Sequence, residues 1–209
     1  MKKSKFIRLI PILIVSLSFT LISACSDNND SITDDIKNQT LTESDKTALL
    51  FMLEEEKLAR DTYMYLDDLW TINQFANIQK SEQTHMNSVE SLLIQYNVAY
   101  TILPVGEFAN QDLQNFYDQF VIDGAINQAN ALQIGATIED LDIVDLQTNI
   151  NDTNNAEITT VFESLQCGSR NHLRSFVSNI EKGGDTYIPQ FLTQEAYNTI
   201  VSADNEKCN

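Results

Sequence analysis

The stretch Phe75-Ala-Asn-Ile78-Gln-Lys-Ser-Glu82-Gln-Thr-His85-Met-Asn-Ser-Val89-Glu-Ser-Leu92-Leu-Ile-Gln-Tyr96 decides the fold. Phe75, Ile78, Glu82, His85, Val89, Leu92 and Tyr96 step by three and four residues, the spacing of one face of an amphipathic helix. Glu82 and His85 take two seats where apolar side chains belong, and at i and i+3 they emerge from one turn of that face. An ionised carboxylate among Phe, Ile, Val and Leu is costly unless something neutralises it, and a metal ion is one common answer.

Other segments show the same interruption. A first helix is expected from Thr42 to Asp45 onward, with Ser44 or Thr42 as N-cap, running to about Trp70. Its apolar face takes Leu49, Met52, Leu53, Ala59, Tyr63, Leu66 and Trp70, and Glu56 falls among them. Glu54 and Glu55 point elsewhere and read as solvated, as runs of like charge usually are. From Asn97 to Asn110 the periodicity fails, with Pro104 and Gly106 marking a crossover loop. A shorter helix spans Gln111 to Asp123, and a long one about Ala125 to Asn149, with Glu139 and Asp142 seated between Leu132, Gly135 and Leu146. A further long helix, Ala156 to Glu181, carries Ile158, Phe162, Leu165, Ser169, His172, Phe176 and Ile180 on one face. The chain holds two histidines, and both fall on faces expected to be buried. A tail from Thr186 ends in a short helix, Thr193 to Ser202. No repeat or strand run is evident.

These patterns predict an all-α domain over residues 41–202: an antiparallel four-helix bundle with a crossover connection, an extra short helix and a C-terminal helical tail, then residues 203–209. Glu56, Glu82, His85, Glu139, Asp142 and His172 then project toward one axis. Bundles of the ferritin type build a two-metal carboxylate site in this way. Four carboxylates and two imidazoles suit iron, with manganese or zinc as alternatives, better than a structural zinc site. The bland reading is a metal-free buried network in which Glu82 and His85 pair with each other or with Arg60, Arg170 or Arg174. Tyr63, two turns from Glu56, and Ser169 are candidates to support the ligands from behind; a buried Tyr is more often core with a polar tip.

The N-terminus points to an export route. Lys2, Lys3, Lys5 and Arg8 precede an apolar run from Ile10 to Ile22, the layout of a signal peptide over residues 1–24. Ile22-Ser23-Ala24-Cys25 resembles the lipobox of bacterial lipoproteins, implying cleavage before Cys25 and lipid on it; an ordinary export signal or an uncleaved anchor helix is the alternative. Residues 25–40, opening on Ser-Asp-Asn-Asn-Asp-Ser, read as a disordered tether. The expected address is the cell envelope, anchored by lipid to the outer membrane on its periplasmic or surface side. Losing four of 13 basic residues with the leader leaves nine against 30 acidic ones, a formal charge of −21, which argues against nucleic acid as a partner. Cys167 and Cys208 are left as either a disulfide or two free thiols. Whether the chain forms a homodimer is also left open.

Several motifs carry a family resemblance. Glu56-Lys-Leu-Ala-Arg-Asp-Thr-Tyr63 and Glu82-Gln-Thr-His85 are similar to segments of rubrerythrins and other ferritin-like proteins. Together with Ile138-Glu139-Asp140-Leu141-Asp142-Ile143 and Gly168-Ser169-Arg170-Asn171-His172-Leu173-Arg174, they resemble the ferritin-like domain of unknown function 2202 family over about Leu41 to Ile200. The resemblance implies the fold and a metal site, and no established activity. One seat departs from the ferritin pattern: three residues before His172 stands Ser169, not Glu. Glu163, nine residues before His172, faces the opposite side, so Asp142 is the candidate to replace the missing carboxylate. The function expected is a ferritin-like, di-iron carboxylate lipoprotein with ferroxidase or peroxide-reducing activity. The rivals are a non-catalytic, surface-tethered helical module with a metal-free polar core, and metal storage or sensing without turnover.

Overall fold

The computed structural model describes residues 41–208; the expected leader, Cys25 and the tether lie outside the described residues. Six helices follow in order: α1 (Glu43–Trp70), α2 (Asn73–Gln95), α3 (Gln111–Gly124), α4 (Gln128–Asp152), α5 (Ala156–Lys182) and α6 (Gln194–Ser202), with no strand among the described residues. Every helix but α2 starts on a side-chain cap. Thr42 and Asp45 form a reciprocal capping box at α1, while Asn110, Asn127, Asn155 and Thr193 accept the first free amides of α3 to α6. Thr71 ends α1 in the left-handed region at φ 55°, and two residues later α2 begins. A connector that short folds α2 back along α1, and residues 153–155 fold α5 back along α4 in the same way. The two hairpins form a bundle in which α1 faces α4 and α2 faces α5, while α3 lies against α1 and α4.

The bundle interior is apolar at both ends and polar between. One end is filled by Leu49, Met52, Met86, Val89, Leu146, Ile158 and Phe162. The other packs Leu58, Tyr63, Leu66, Phe75, Ile78, Ile138 and Phe176, with the rings of Tyr63, Phe75 and Phe176 at 5.4–5.7 Å from one another. On α1, α2 and α5 the switch between these clusters falls at the interrupting residues, Glu55 and Glu56, Glu82 and His85, and Ser169 and His172; on α4 it falls just after Glu139 and Asp142, between Ile143 and Leu146. Burying the apolar seats on either side fixes the depth and rotation of each helix, and so places the polar seats level with each other. Gly135 lets the Phe176 ring of α5 lie against the backbone of α4, because a Cβ there would clash with that ring.

The irregular segments are tied down by buried polar groups. Lys57 is fully enclosed and reaches Asp61 at 2.5 Å and the carbonyls of Pro104 and Glu107 at 2.9 and 3.0 Å. Glu54 accepts the amides of Ala109 and Asn110, both at 2.8 Å, fastening the far end of the same loop. Asp140 holds the tail, accepting the Tyr187 hydroxyl and the amides of Gln190, Phe191 and Leu192. A disulfide joins Cys167 of α5 to Cys208, with Cα atoms 5.6 Å apart, and resolves the alternative left by the sequence. Glu206 lies between Arg170 and Arg174 beside it. No helix of the described residues is long and apolar enough to cross a membrane.

Candidate metal centre

Five of the six expected ligands form two groups that share one member. Glu56, Glu82 and His85 bring one donor atom each within 4.8 Å of one another, and Glu82, Glu139 and His172 do the same. Glu82 is the hinge of the arrangement: its Oε2 is 2.8 Å from His85 Nδ1 and its Oε1 is 2.9 Å from His172 Nδ1. Glu56 Oε2 approaches His85 Nδ1 at 3.1 Å, and Glu139 Oε2 approaches His172 Nδ1 at 3.4 Å. The two imidazoles stack with centroids 5.7 Å apart. α1, α2, α4 and α5 therefore contribute a Glu, a Glu and a His, a Glu, and a His respectively.

Asp142 is beside this set but belongs to neither group. Its Oδ2 receives the Ser169 hydroxyl, so the serine in the seat where the ferritin pattern has Glu holds the aspartate across the α4–α5 hairpin. Tyr63 donates to Glu139 Oε1 at 2.6 Å, which makes it a support for the site as well as part of the core. Gly168 is a contributor that the apolar pattern did not single out. A Cβ there would stand 2.7 Å from Cε1 and Nε2 of His85, so only glycine lets that ring lie against α5. A glycine inside a helix costs about 1 kcal/mol relative to Ala, and that misfit was the available clue. Glu55, read as solvated, is in fact buried at 2 % exposure between α1 and α4. Flanked by two other glutamates, it carried no pattern to announce this.

The arginines do not neutralise the cluster. Arg60 binds Asp61 and Gln83, while Arg170 and Arg174 bind Glu206. What balances the acids in the metal-free protein is protons. Burial pushes Glu56 up to about 7 even though His85 opposes it, and burial likewise raises Glu139 and Asp142. Glu82 moves the other way: burial works against its charge, but His172 and His85 outweigh it and hold it below the usual range. Burial disfavours both imidazolium ions, yet the carboxylates prevail, raising His85 strongly and His172 to about 10.

Each of the two donor groups could hold a metal ion. Glu56 Oε1, Glu82 Oε1 and His172 Nδ1 are buried without a hydrogen-bond partner. Glu82 Oε1 and His172 Nδ1 are nonetheless close, so their approach lacks hydrogen-bond alignment, as donor atoms arranged around a common centre do. Carboxylates with imidazoles are the ligand mixture of iron and manganese, and zinc accepts it too.

The chain is similar to proteins without an assigned activity. Residues 45–204 match the family described as "Uncharacterized protein domain (DUF2202)". An uncharacterized protein of Methanocaldococcus jannaschii, MJ0754, is 42% identical over 174 residues, covering 82% of this chain and 94% of its own length. The crystal structure of hypothetical protein MJ0754 from Methanococcus jannaschii superposes with a TM-score of 0.79 at 44% identity, covering 80% of this chain and 97% of the other. Since the family match takes in most of the chain and the relative nearly its whole length, the chain belongs to the DUF2202 family.

Proposed function

We propose that this protein is a ferritin-like metalloprotein whose bundle core binds two iron ions, one at Glu56, Glu82 and His85 and the other at Glu82, Glu139 and His172. The observation that carries this reading is that two donor groups from four helices meet at one shared carboxylate. Glu82 would be shared by the two ions, with Glu56 and His85 holding one and Glu139 and His172 the other. Asp142, held by Ser169, stands beside the pair as a further acid. Bound iron supplies a change of oxidation state, suited to oxidising Fe(II) or reducing a peroxide. The chain's own part is to fix coordination, keep four of these acids out of water and hold Glu139 through Tyr63. The lipobox-like Ile22-Ser23-Ala24-Cys25 supports export and lipid anchoring at Cys25 in the outer membrane of a cell envelope.

Metal analysis of protein prepared without chelator tests the reading, followed by reloading with Fe(II), Mn(II) and Zn(II). Two ions per chain, lost in Glu82→Ala with helix content intact, are expected. Protein that takes up none of the three metals overturns the reading and leaves a structural polar core. Manganese or zinc in place of iron keeps the site and changes its chemistry.

A further inference from the structure

Two turns of α5 carry the proposed metal site on one face and the C-terminal tail on the other. Gly168 lies against the His85 ring, Ser169 donates to Asp142, and His172 stands beside Glu82. Cys167, Arg170, Asn171 and Arg174, at steps of three, four and seven residues from the first, form the other face. All four hold the tail. Arg170 and Arg174 pair with Glu206, Asn171 donates to the Glu206 carbonyl at 3.1 Å and accepts from its amide at 2.9 Å, and Cys167 is bonded to Cys208. Residues 203–208 contribute no side chain to either apolar cluster, so polar links and the disulfide fasten them. The Glu206 side chain is 33% exposed, and ion pairs open to water hold weakly, which leaves the covalent bond as the dominant tie.

We propose that the Cys167–Cys208 bridge is a redox-operated clasp on the helix that carries His172, closed when oxidised and opened by a dithiol reductant. Cys208 is exposed and Cys167 buried, so the attacking thiolate reaches the bridge at Cys208. Attack there breaks the S–S bond, forms a mixed disulfide on Cys208 and expels Cys167, which takes a proton. The second thiol of the reductant then displaces Cys208 as a thiol and closes the reductant's own disulfide. Two electrons and two protons pass from the dithiol to the two cysteines. The tail is then free to leave the turns between Cys167 and Arg174, and a stretch that loses its outer partners opens more readily. Weaker metal retention follows, and this effect rests on the dinuclear reading above, because Gly168 and His172 belong to the same turns. Since coupling is reciprocal, a bound cation in turn favours the closed bridge.

Amide hydrogen exchange over residues 167–174 of the metal-free full chain tests the clasp independently of metal. Dithiothreitol on the wild type, and Cys208→Ser without it, should both remove protection from that stretch while circular dichroism shows the helices intact. Unchanged exchange in both overturns the proposal and leaves the bridge a static staple. Equilibrium dialysis against Mn(II) gives the second readout: affinity should fall about 10-fold on reduction of the wild type, and reductant should have no effect on Cys208→Ser. Mn(II) held equally tightly by oxidised and reduced protein overturns the coupling to the metal and with it the regulatory role. Exchange that responds to reduction in a chain that binds no Mn(II) even when oxidised supports the clasp and overturns the dinuclear reading alone.

Discussion

Tyr63 on α1 donates its hydroxyl to Oε1 of Glu139 on α4 at 2.6 Å, while Oε2 of the same carboxylate faces His172 at 3.4 Å. A residue at the edge of the aromatic core thus sets the orientation of a candidate ligand. Tyr63→Phe keeps the ring and removes the donor. Loss of one buried hydrogen bond, leaving its acceptor unpaired, should lower stability by about 1–3 kcal/mol. Metal affinity at the Glu82, Glu139 and His172 group should fall by about 10- to 100-fold, read by competition with a chelator. Unaltered affinity would mean that Glu139 is positioned by packing alone.

Gly168→Ala pits two effects against each other. Helix propensity favours the change by about 1 kcal/mol, whereas forcing a methyl toward the His85 ring costs about 1–3 kcal/mol. The net should therefore be a loss of about 0–2 kcal/mol. The decisive readout is metal content: the ion at Glu56, Glu82 and His85 should be lost or strongly weakened while the other remains. Two tightly held ions in the variant would show that His85 is not a ligand.

Metal uptake should release protons. His172 is raised to about 10 and Glu56 to about 7, so at pH 7.5 the metal-free imidazole carries a proton that a cation at Nδ1 must displace. Affinity should rise with pH from below 7 toward 10 and weaken in acid. Calorimetric titrations in buffers of different ionisation enthalpy measure this directly; heats independent of the buffer would count against imidazole ligation.

The clasp on α5 should make stability sensitive to acid. Hydrogen bonds from Arg170 first, and then from Arg174, hold Glu206 down at about 2, against an ordinary 4.5. Because the folded value is depressed, the contribution is present above pH 4.5 and is lost as pH falls through about 2. With the Glu206 side chain 33% exposed, about 1 kcal/mol is expected after allowing for solvent screening. Urea unfolding of the wild type and Glu206→Gln between pH 2 and 7 should converge at the acid end.

Cys208→Ser removes the covalent half of that clasp. With the bonded cysteines 41 positions apart in sequence, the constraint on the unfolded chain is worth about 4 kcal/mol in the chain-entropy account, and about 2–4 kcal/mol is expected in practice. The same denaturation experiment with and without reductant checks it. A wild type indifferent to reductant would show that Glu206 and Asp140 alone hold the tail.

The sequence by itself determined the four long helices and the phase of the polar residues on them. Backbone geometry sets a period of 3.6, so Glu82 and His85 must share a face whatever surrounds them. Contacts between helices follow no such local rule. Only the tertiary structure decided that Glu82 lies between both imidazoles, that Ser169 reaches Asp142, and that Glu55, one step from the expected face, is buried because α4 covers it. Nor did the pattern reveal that Cys208 returns to Cys167 from 41 residues away, or that Asp140 and Lys57 tie down loops without periodicity. Those outcomes depend on how the packed apolar ends set the separation and rotation of the helices, which no single helix encodes.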